Sequence, residues 1–518
     1  MNSVFDARRV CAAWIVPLHL LTSAAAAPEL SGSAAQADVI AHQITLADML
    51  SAVLAKNPDI QLVERQQEIE RAGLLAAGAP FDPLMATSGT SAREGTRDPQ
   101  TGIDTLARQL AYRFTFQQQL RQGTVLTSEI GATQASLASR SNAASNHVSV
   151  KLNVLVPLLK DRGGIVTSAP ERVSRTRVEA GVLTLRHTTS ETVYAASVAY
   201  WDYVAAQKRL AVQQSAEARA QQLVDDTRTL VSADERAAAD LTQMLGNLAA
   251  KRVVRIGAEQ TVLEARQQLG LVMGLPPEQT TNLPEASTEF PGVGPDWAPS
   301  PLPQRLVDLA LSRRADLRAA ELGLRSAQTL RSAAENDIKP RFDLLTGVGF
   351  TGLDPGSGLS RFLSALYRSV PGVDTSLQVR YQFFTGNVEA RGRLLQSIAT
   401  QEQQRIAYDD LKRRISTGVQ VAHQALNRGG LEMRESETAV RLFESVVQSE
   451  QRKFQLGVST LFDVIQAQDG LTNAMLGEIA SRGSYAVAIA MLRFQTGLLL
   501  NAGSGPSAVE PGNLLTPP

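Results

Sequence analysis

The chain has 518 residues, with 51 Lys and Arg balanced by 51 Asp and Glu. The even charge excludes the basic excess that a nucleic-acid footprint needs on at least one face. Aromatic residues make up only 5%, and Ala, Gln, Arg, Leu and Glu fill the long stretches, a composition suited to extended helices rather than to an enzyme core.

Residues 1–26 read as a secretory signal peptide. Arg8 and Arg9 form a short basic region, residues 10–21 an apolar run, and residues 24–27 an A-x-A cleavage site after Ala26. The apolar run is too short for a membrane anchor, which needs about 20 residues. The single cysteine, Cys11, lies inside this segment without the context of a lipoprotein signal, so the mature chain is expected to contain none. Residues 27–43 read as flexible. No later apolar stretch approaches the length of a spanning helix, so a membrane could be crossed only by strands.

Helical periodicity begins at Ile44 and runs to about Gly78, with Asn57-Pro58-Asp59 predicting a break and a new N-cap. Between about 84 and 159 the pattern shifts to period two. Residues 112–116 and 148–154 are the clearest strands, and polar loops are expected at 93–106 and 135–146. Lys160-Asp161-Arg162-Gly163-Gly164 closes this region. Helix is predicted from about Pro170 to Leu275, where Leu241, Met244, Leu245 and Leu248 share one face. A Pro-rich linker spans 276–303. Helix returns at 304–338, strands at 341–351 and 374–384, helix at 388–499, and residues 501–518 read as a disordered tail.

The chain also reads as two copies of one unit, 44–275 and 304–500. Residues 44–83 align without a gap on 301–340. Asp240 stands 34 residues before Gly274, as Asp463 stands 34 before Gly497. The first copy is longer, mostly within its β region, where exposed loops and hairpins tolerate insertion. Helical stretches of this length must pack laterally on others, and a few strands per chain can enter a bilayer only by closing with strands of other copies.

Three motifs carry a family resemblance: the LxxALxxNPDI-like opener at 46–60, weakened at 302–317; VPLLKDRG at 156–163; and GVSTLFDVIQAQ at 457–468, followed by a long helix to Gly497. In this order and duplication they resemble the TolC-like outer membrane efflux protein family over about residues 44–500. The resemblance implies a mixed, mostly helical fold: a homotrimeric outer-membrane β-barrel continued by a periplasmic α-helical barrel. It implies contact with outer-membrane lipid, a periplasmic adaptor (membrane fusion protein) and an inner-membrane pump, with no cofactor and no nucleic acid. It further implies four strands per protomer and a 12-stranded barrel. An additional hairpin at 108–118 and 125–134 would raise this to six and 18; four is expected, because the family's barrel is built that way.

The resemblance also places a pore aperture. Asp463 matches the first of the family's two aspartates. Gln466 stands where the second would be, Ser459 where an arginine would be, and Phe454 in place of a tyrosine, so that closure would rest on packing. Three Asp463 carboxylates on a threefold axis would form a small anionic ring; Asp240 is the counterpart in the first copy. The competing reading is that Asp463 merely caps the helix starting near Leu461. Tyr200, Trp201 and Tyr203 are expected to pack between helices. Tyr112, Phe114 and Phe116 fit a lipid-facing girdle and a strand core equally well. His42, His147, His187 and His423 lack metal-ligand spacing, and no nucleotide, metalloprotease or hydrolase motif occurs. The expected function is therefore a passive exit duct for efflux or secretion of small molecules or proteins, not an enzyme. The alternative is a periplasmic coiled-coil adaptor without a barrel of its own.

Overall fold

The computed structural model describes residues 43–97, 100, 102, 104–138, 144–294, 297–356, 359–365, 373–501 and 509–518. The signal-peptide reading, nearly all of the 27–43 segment and residues 502–508 of the tail lie outside the described residues.

A two-residue strand, β1 (Gln43–Ile44), leads into α1 (Leu46–Lys56). Thr45 and Asp48 exchange hydrogen bonds in a capping box, which satisfies free N–H groups at the helix start. The chain breaks at Asn57 because Pro58 cannot continue a helix but suits the first position of the next, α2 (Pro58–Gly78). The Asn57 side chain accepts from the Asp59 and Ile60 N–H groups at 2.8 and 3.4 Å. Its amide also donates to the Val272 carbonyl at 2.7 Å.

A 3-10 turn at Ala79–Phe81 precedes four strands: β2 (Leu84–Arg97), β3 (Asp104–Gln119), β4 (Val125–Ala138) and β5 (Ala144–Pro157). After a short turn of helix, α3 (Gly164–Thr167), come the 64-residue α4 (Ala169–Ser232) and α5 (Ala238–Val272). Then follow α6 (Pro277–Thr281) and β6 (Glu285–Ala286), which pairs in parallel with β1. The second half comprises α7 (Gln304–Arg313), α8 (Ala315–Asp337), β7 (Arg341–Pro355), α9 (Leu359–Ser364), β8 (Asp374–Gln382), the 68-residue α10 (Val388–Gln455) and α11 (Leu461–Gln495).

The C-terminal ends of two long helices match between the halves. The helices α5 and α11 each have 35 residues and carry Asp240 and Asp463 at their third positions. Both end in a Schellman motif on a glycine at φ +70°, Gly274 and Gly497, with Leu275 and Leu498 donating back to Gly270 and Arg493. Where Asn57 ties its break to Val272, Arg314 at the second break donates to Gln495 at 2.7 Å and holds Asp316 in a two-pronged pair.

Six strands form one antiparallel sheet in the order β2-β3-β4-β5-β7-β8. The expectation of four strands per chain is therefore not met. The 108–118 and 125–134 segments lie within β3 and β4, hydrogen-bonded on both sides, and these strands extend into stretches expected to be loops. The reason is pairing: residues 93–97, polar and weakly patterned by themselves, complete their backbone hydrogen bonds on residues 104–108.

The helices pack side by side. Near the sheet the order is α2, α4, α8, α10; farther away it is α5, α4, α11, α10. The largest apolar cluster gathers α1, α4 and α11 around Tyr200, Trp201 and Tyr203, all fully buried, as expected for helix-packing aromatics. Leu283 and Phe290 of the Pro-rich segment join this cluster. So does Leu514, held in a 3-10 turn at Pro511–Leu514, while Arg493 donates to the carbonyls of Thr516 and Pro517. The disordered-tail expectation thus fails for residues 509–518, because an apolar residue in a Gly/Pro-rich segment finds its partner only in the folded chain. Among the described residues no helix is long and apolar enough to cross a membrane.

Candidate aperture and pore wall

The hairpins α4–α5 and α10–α11 turn at the end of the molecule remote from the sheet. Their tips share an apolar cluster in which Val224, Met244, Leu248 and Leu461 are buried, with Leu241, Phe454 and Ile465 against them. Phe454 is half-buried against this cluster, and the guanidinium of Arg236, from the α4–α5 tip, lies 5.2 Å from its ring centre. Nothing in the sequence singled out Arg236, which is 218 positions from its partner.

The Asp463 carboxylate forms a capping box with Thr460. It accepts from the Thr460 hydroxyl at 2.6 Å and its N–H at 2.9 Å, and the Thr460 oxygen in turn accepts from the Asp463 N–H at 3.3 Å. This pairing was legible as T-x-x-D before an apolar run. Ser459 sits 2.8 Å from Glu450 and 3.3 Å from Asp463. Its hydroxyl has one proton, so it serves one carboxylate at a time. Lys453 holds the other side of Glu450 at 2.6 Å.

Both acids are held below the ordinary carboxylate range. For Asp463 the hydrogen bonds of Thr460 come first; for Glu450 the Lys453 bond comes first, followed by that of Ser459. Gln466, one turn on, is exposed. Asp240 occupies the same helical position in α5, whose N-cap is Ala237 and lacks a side-chain cap. The structure thus brings Ser459 and Asp463 together with Glu450, and Phe454 together with Arg236.

From β3 to β8 the two faces of the sheet differ in chemistry, whereas in β2 the register puts Leu84 in the polar row and Thr87, Ser91 and Arg93 in the apolar one. One face carries Gln117, Thr127, Asn153 and Ser376, aligned in register on β3, β4, β5 and β8. It also carries Arg113, which pairs with Glu129 at 3.1 Å, and Lys151, directly opposite Glu129. The other face carries Phe114, Ile130, Val150, Val348 and Leu377, all exposed. Tyr112 and Phe116 share that face with Phe114. An apolar face backed by a polar one over these five strands is what a wall between lipid and an aqueous lumen requires. Among the described residues no cluster of three or more His, Cys, Asp or Glu is placed to hold a metal ion.

Residues 306–498 match the model of the outer membrane efflux protein family, as the motifs of the second half led one to expect. No curated protein matches the chain by sequence. Among solved structures, the outer-membrane channel OprN is 16% identical, over 87% of this chain and 89% of its own, with a TM-score of 0.65. The Campylobacter jejuni CmeC outer membrane channel is 14% identical over 87% and 85%, with a TM-score of 0.64. The outer membrane protein VceC from Vibrio cholerae is 14% identical over 87% and 96%, with a TM-score of 0.63. Identities this low establish a shared fold, that of outer-membrane channels.

Proposed function

We propose that this chain, with an outer membrane efflux protein signature over residues 306–498 and the fold of outer-membrane channels, is one protomer of a homotrimeric exit duct. In this reading its two halves are repeats of one unit. The sheet joins others into a barrel in the outer membrane, the helices form a periplasmic tunnel, and a periplasmic adaptor links it to an inner-membrane pump that supplies the energy.

One observation carries this reading: the protomer ends on the same two flanks at every level. One flank consists of β2, α2 and α5, the other of β8 and α10. Both present apolar side chains to solvent, including Leu62, Ile69 and Val253 on the first and Leu395, Ile406 and Leu442 on the second. β2 runs away from the helices and β8 runs back toward them, so β8 of one copy meets β2 of the next antiparallel. Pairing β2 with β2 across a twofold axis would instead place the two helical bodies on opposite sides of the bilayer. Head-to-tail closure into a ring is the solution that covers both flanks. A coiled-coil adaptor without a barrel would leave the apolar sheet face wet.

The aperture lies at the α10–α11 tips, where Asp463, Gln466 and Ser459 stand with Asp240 of the neighbouring tip, and Phe454 packs the closed state. Hydrogen bonds keep Asp463 ionised, which favours cations at the mouth.

Native mass and heat-modifiability of the detergent-extracted outer-membrane fraction test the duct. A helix-rich trimer in that fraction supports it; a water-soluble periplasmic monomer or dimer overturns it.

A further inference from the structure

We propose that the β3–β4 hairpin is a structural part of the barrel wall, so that the trimer closes 18 strands rather than twelve. This deepens the duct reading above and rests on it.

Three observations converge. First, the hairpin is stitched into the sheet along its length: β3 pairs with β2 from Asp104 to Gln117, and β4 pairs with β5 from Val125 to Ser136. Its alternation continues that of β5, β7 and β8, with Phe114 and Ile130 in the apolar row and Arg113 and Glu129 in the polar one. A hairpin lying in solvent would have no reason to keep the bilayer's two faces.

Second, the register has the stagger that a closed barrel needs. A line across the strands from Leu84, at the helical end of β2, passes through Gln117, Thr127, Asn153, Gly347 and Ser376. The helical end of β8 is Gln382, six residues beyond Ser376. Bringing Gln382 level with Leu84 of the next copy shifts the register by about 20 Å along the strands for about 29 Å across six of them. The corresponding tilt is about 35°, at the edge of the range in which barrels close. The six-stranded sheet is thus compatible with closure.

Third, the turn of the hairpin is fastened at the junction between sheet and helices. Arg121 grips Glu171 of α4 with two hydrogen bonds, at 2.8 and 3.0 Å, and lies 4.9 Å from the ring centre of Phe81. The Gln122 carbonyl accepts from Gly163 at 3.2 Å, and Gly123 sits against Asp161 and Pro157. The turn thus takes part in the same corner through which β5 hands over to α4.

Barrel diameter grows roughly in proportion to strand number, so the bore is about 1.5-fold that of a 12-stranded wall. The membrane section then offers less resistance than the helical tips, and the tips alone set what passes.

Cysteine pairs test this directly, since the only native cysteine, Cys11, lies ahead of the expected cleavage site. Thr90→Cys with Ala111→Cys joins β2 to β3, and Thr133→Cys with His147→Cys joins β4 to β5. Gln378→Cys combined in turn with Ala86→Cys, Ser88→Cys or Thr90→Cys joins one copy to the next. Membranes are oxidised and read on non-reducing gels, beside the native mass of the same sample. The expected result is both intrachain links, together with a covalent trimer from one of the interchain pairs. A native trimer in which the β2–β3 and β4–β5 pairs stay reduced overturns the 18-stranded wall and leaves the duct standing. Absence of any trimer by native mass removes the duct itself, and the strand count with it.

Discussion

Replacing Gly123 by alanine probes the seat of the hairpin turn. Gly123 has φ +97°, a conformation that an L side chain adopts at a cost of about 1–2 kcal/mol. A Cβ there would lie 2.3 Å from the Asp161 carbonyl oxygen and 2.9 Å from the Pro157 ring. The carbonyl cannot retreat freely. It accepts from Thr167 at 3.1 Å, and the Asp161 N–H is tied to Asn336 at 2.8 Å. Overpacking of this kind adds about 1–3 kcal/mol, so Gly123→Ala should destabilise each protomer by about 2–5 kcal/mol. Spread over a cooperative unit as large as this chain, that is a drop of roughly 2–5 °C in the temperature at which the oligomer dissociates on heat-modifiability gels. Gly95→Ala, in β2 with nothing within 4 Å of the added carbon, is the control and should leave the temperature unchanged or slightly raised. If Gly123→Ala melts with the wild type, the turn is not seated on the corner, and the reasoning about this junction is wrong.

Asp463→Asn removes a charge while keeping a side chain able to accept from Thr460; cation selectivity and divalent-cation block in planar bilayers should fall while native mass stays that of the parent, and unchanged block would remove Asp463 from the aperture. Asn57→Ala deletes a helix cap and leaves the half-buried Val272 carbonyl without its donor, which should cost about 1–3 kcal/mol in a denaturation series. Acid should loosen the molecule within a defined window. Glu171 is held below its ordinary value first by the Arg121 hydrogen bond, Asp463 by Thr460 and Glu450 by Lys453. Groups with lowered folded values contribute fully above the unfolded carboxylate range, near pH 4, and their contribution fades as pH falls through the folded values. Dissociation temperature should therefore be flat from about pH 7 to 5 and drop below about pH 4; a decline beginning at pH 6 would point to other groups.

Much of this protein could be read along the chain, because the signals are local. Asn57-Pro58 stops one helix and caps the next, Gly274 and Gly497 end two others at positive φ, and the period-two runs around Phe114 and Val150 mark strands; each is decided by neighbours within a turn or two. A cap was expected of Asp463, and it forms as a box in which Thr460 is the N-cap and Asp463 the third helical residue. What the chain order could not settle is pairing across distance. Whether β3 and β4 join the sheet depends on partners in β2 and β5. The Arg121–Glu171 clasp joins residues 50 positions apart, and Arg236 finds Phe454 from the other half. Leu514 is buried because α1 and α11 present a surface to it, although its own Gly/Pro-rich surroundings predict none. Secondary structure follows from short-range sterics and periodicity, which the sequence by itself carries. Strand count, turn seating and the fate of the tail follow from hydrogen bonds and apolar contacts between distant segments, which exist only once the tertiary structure has formed.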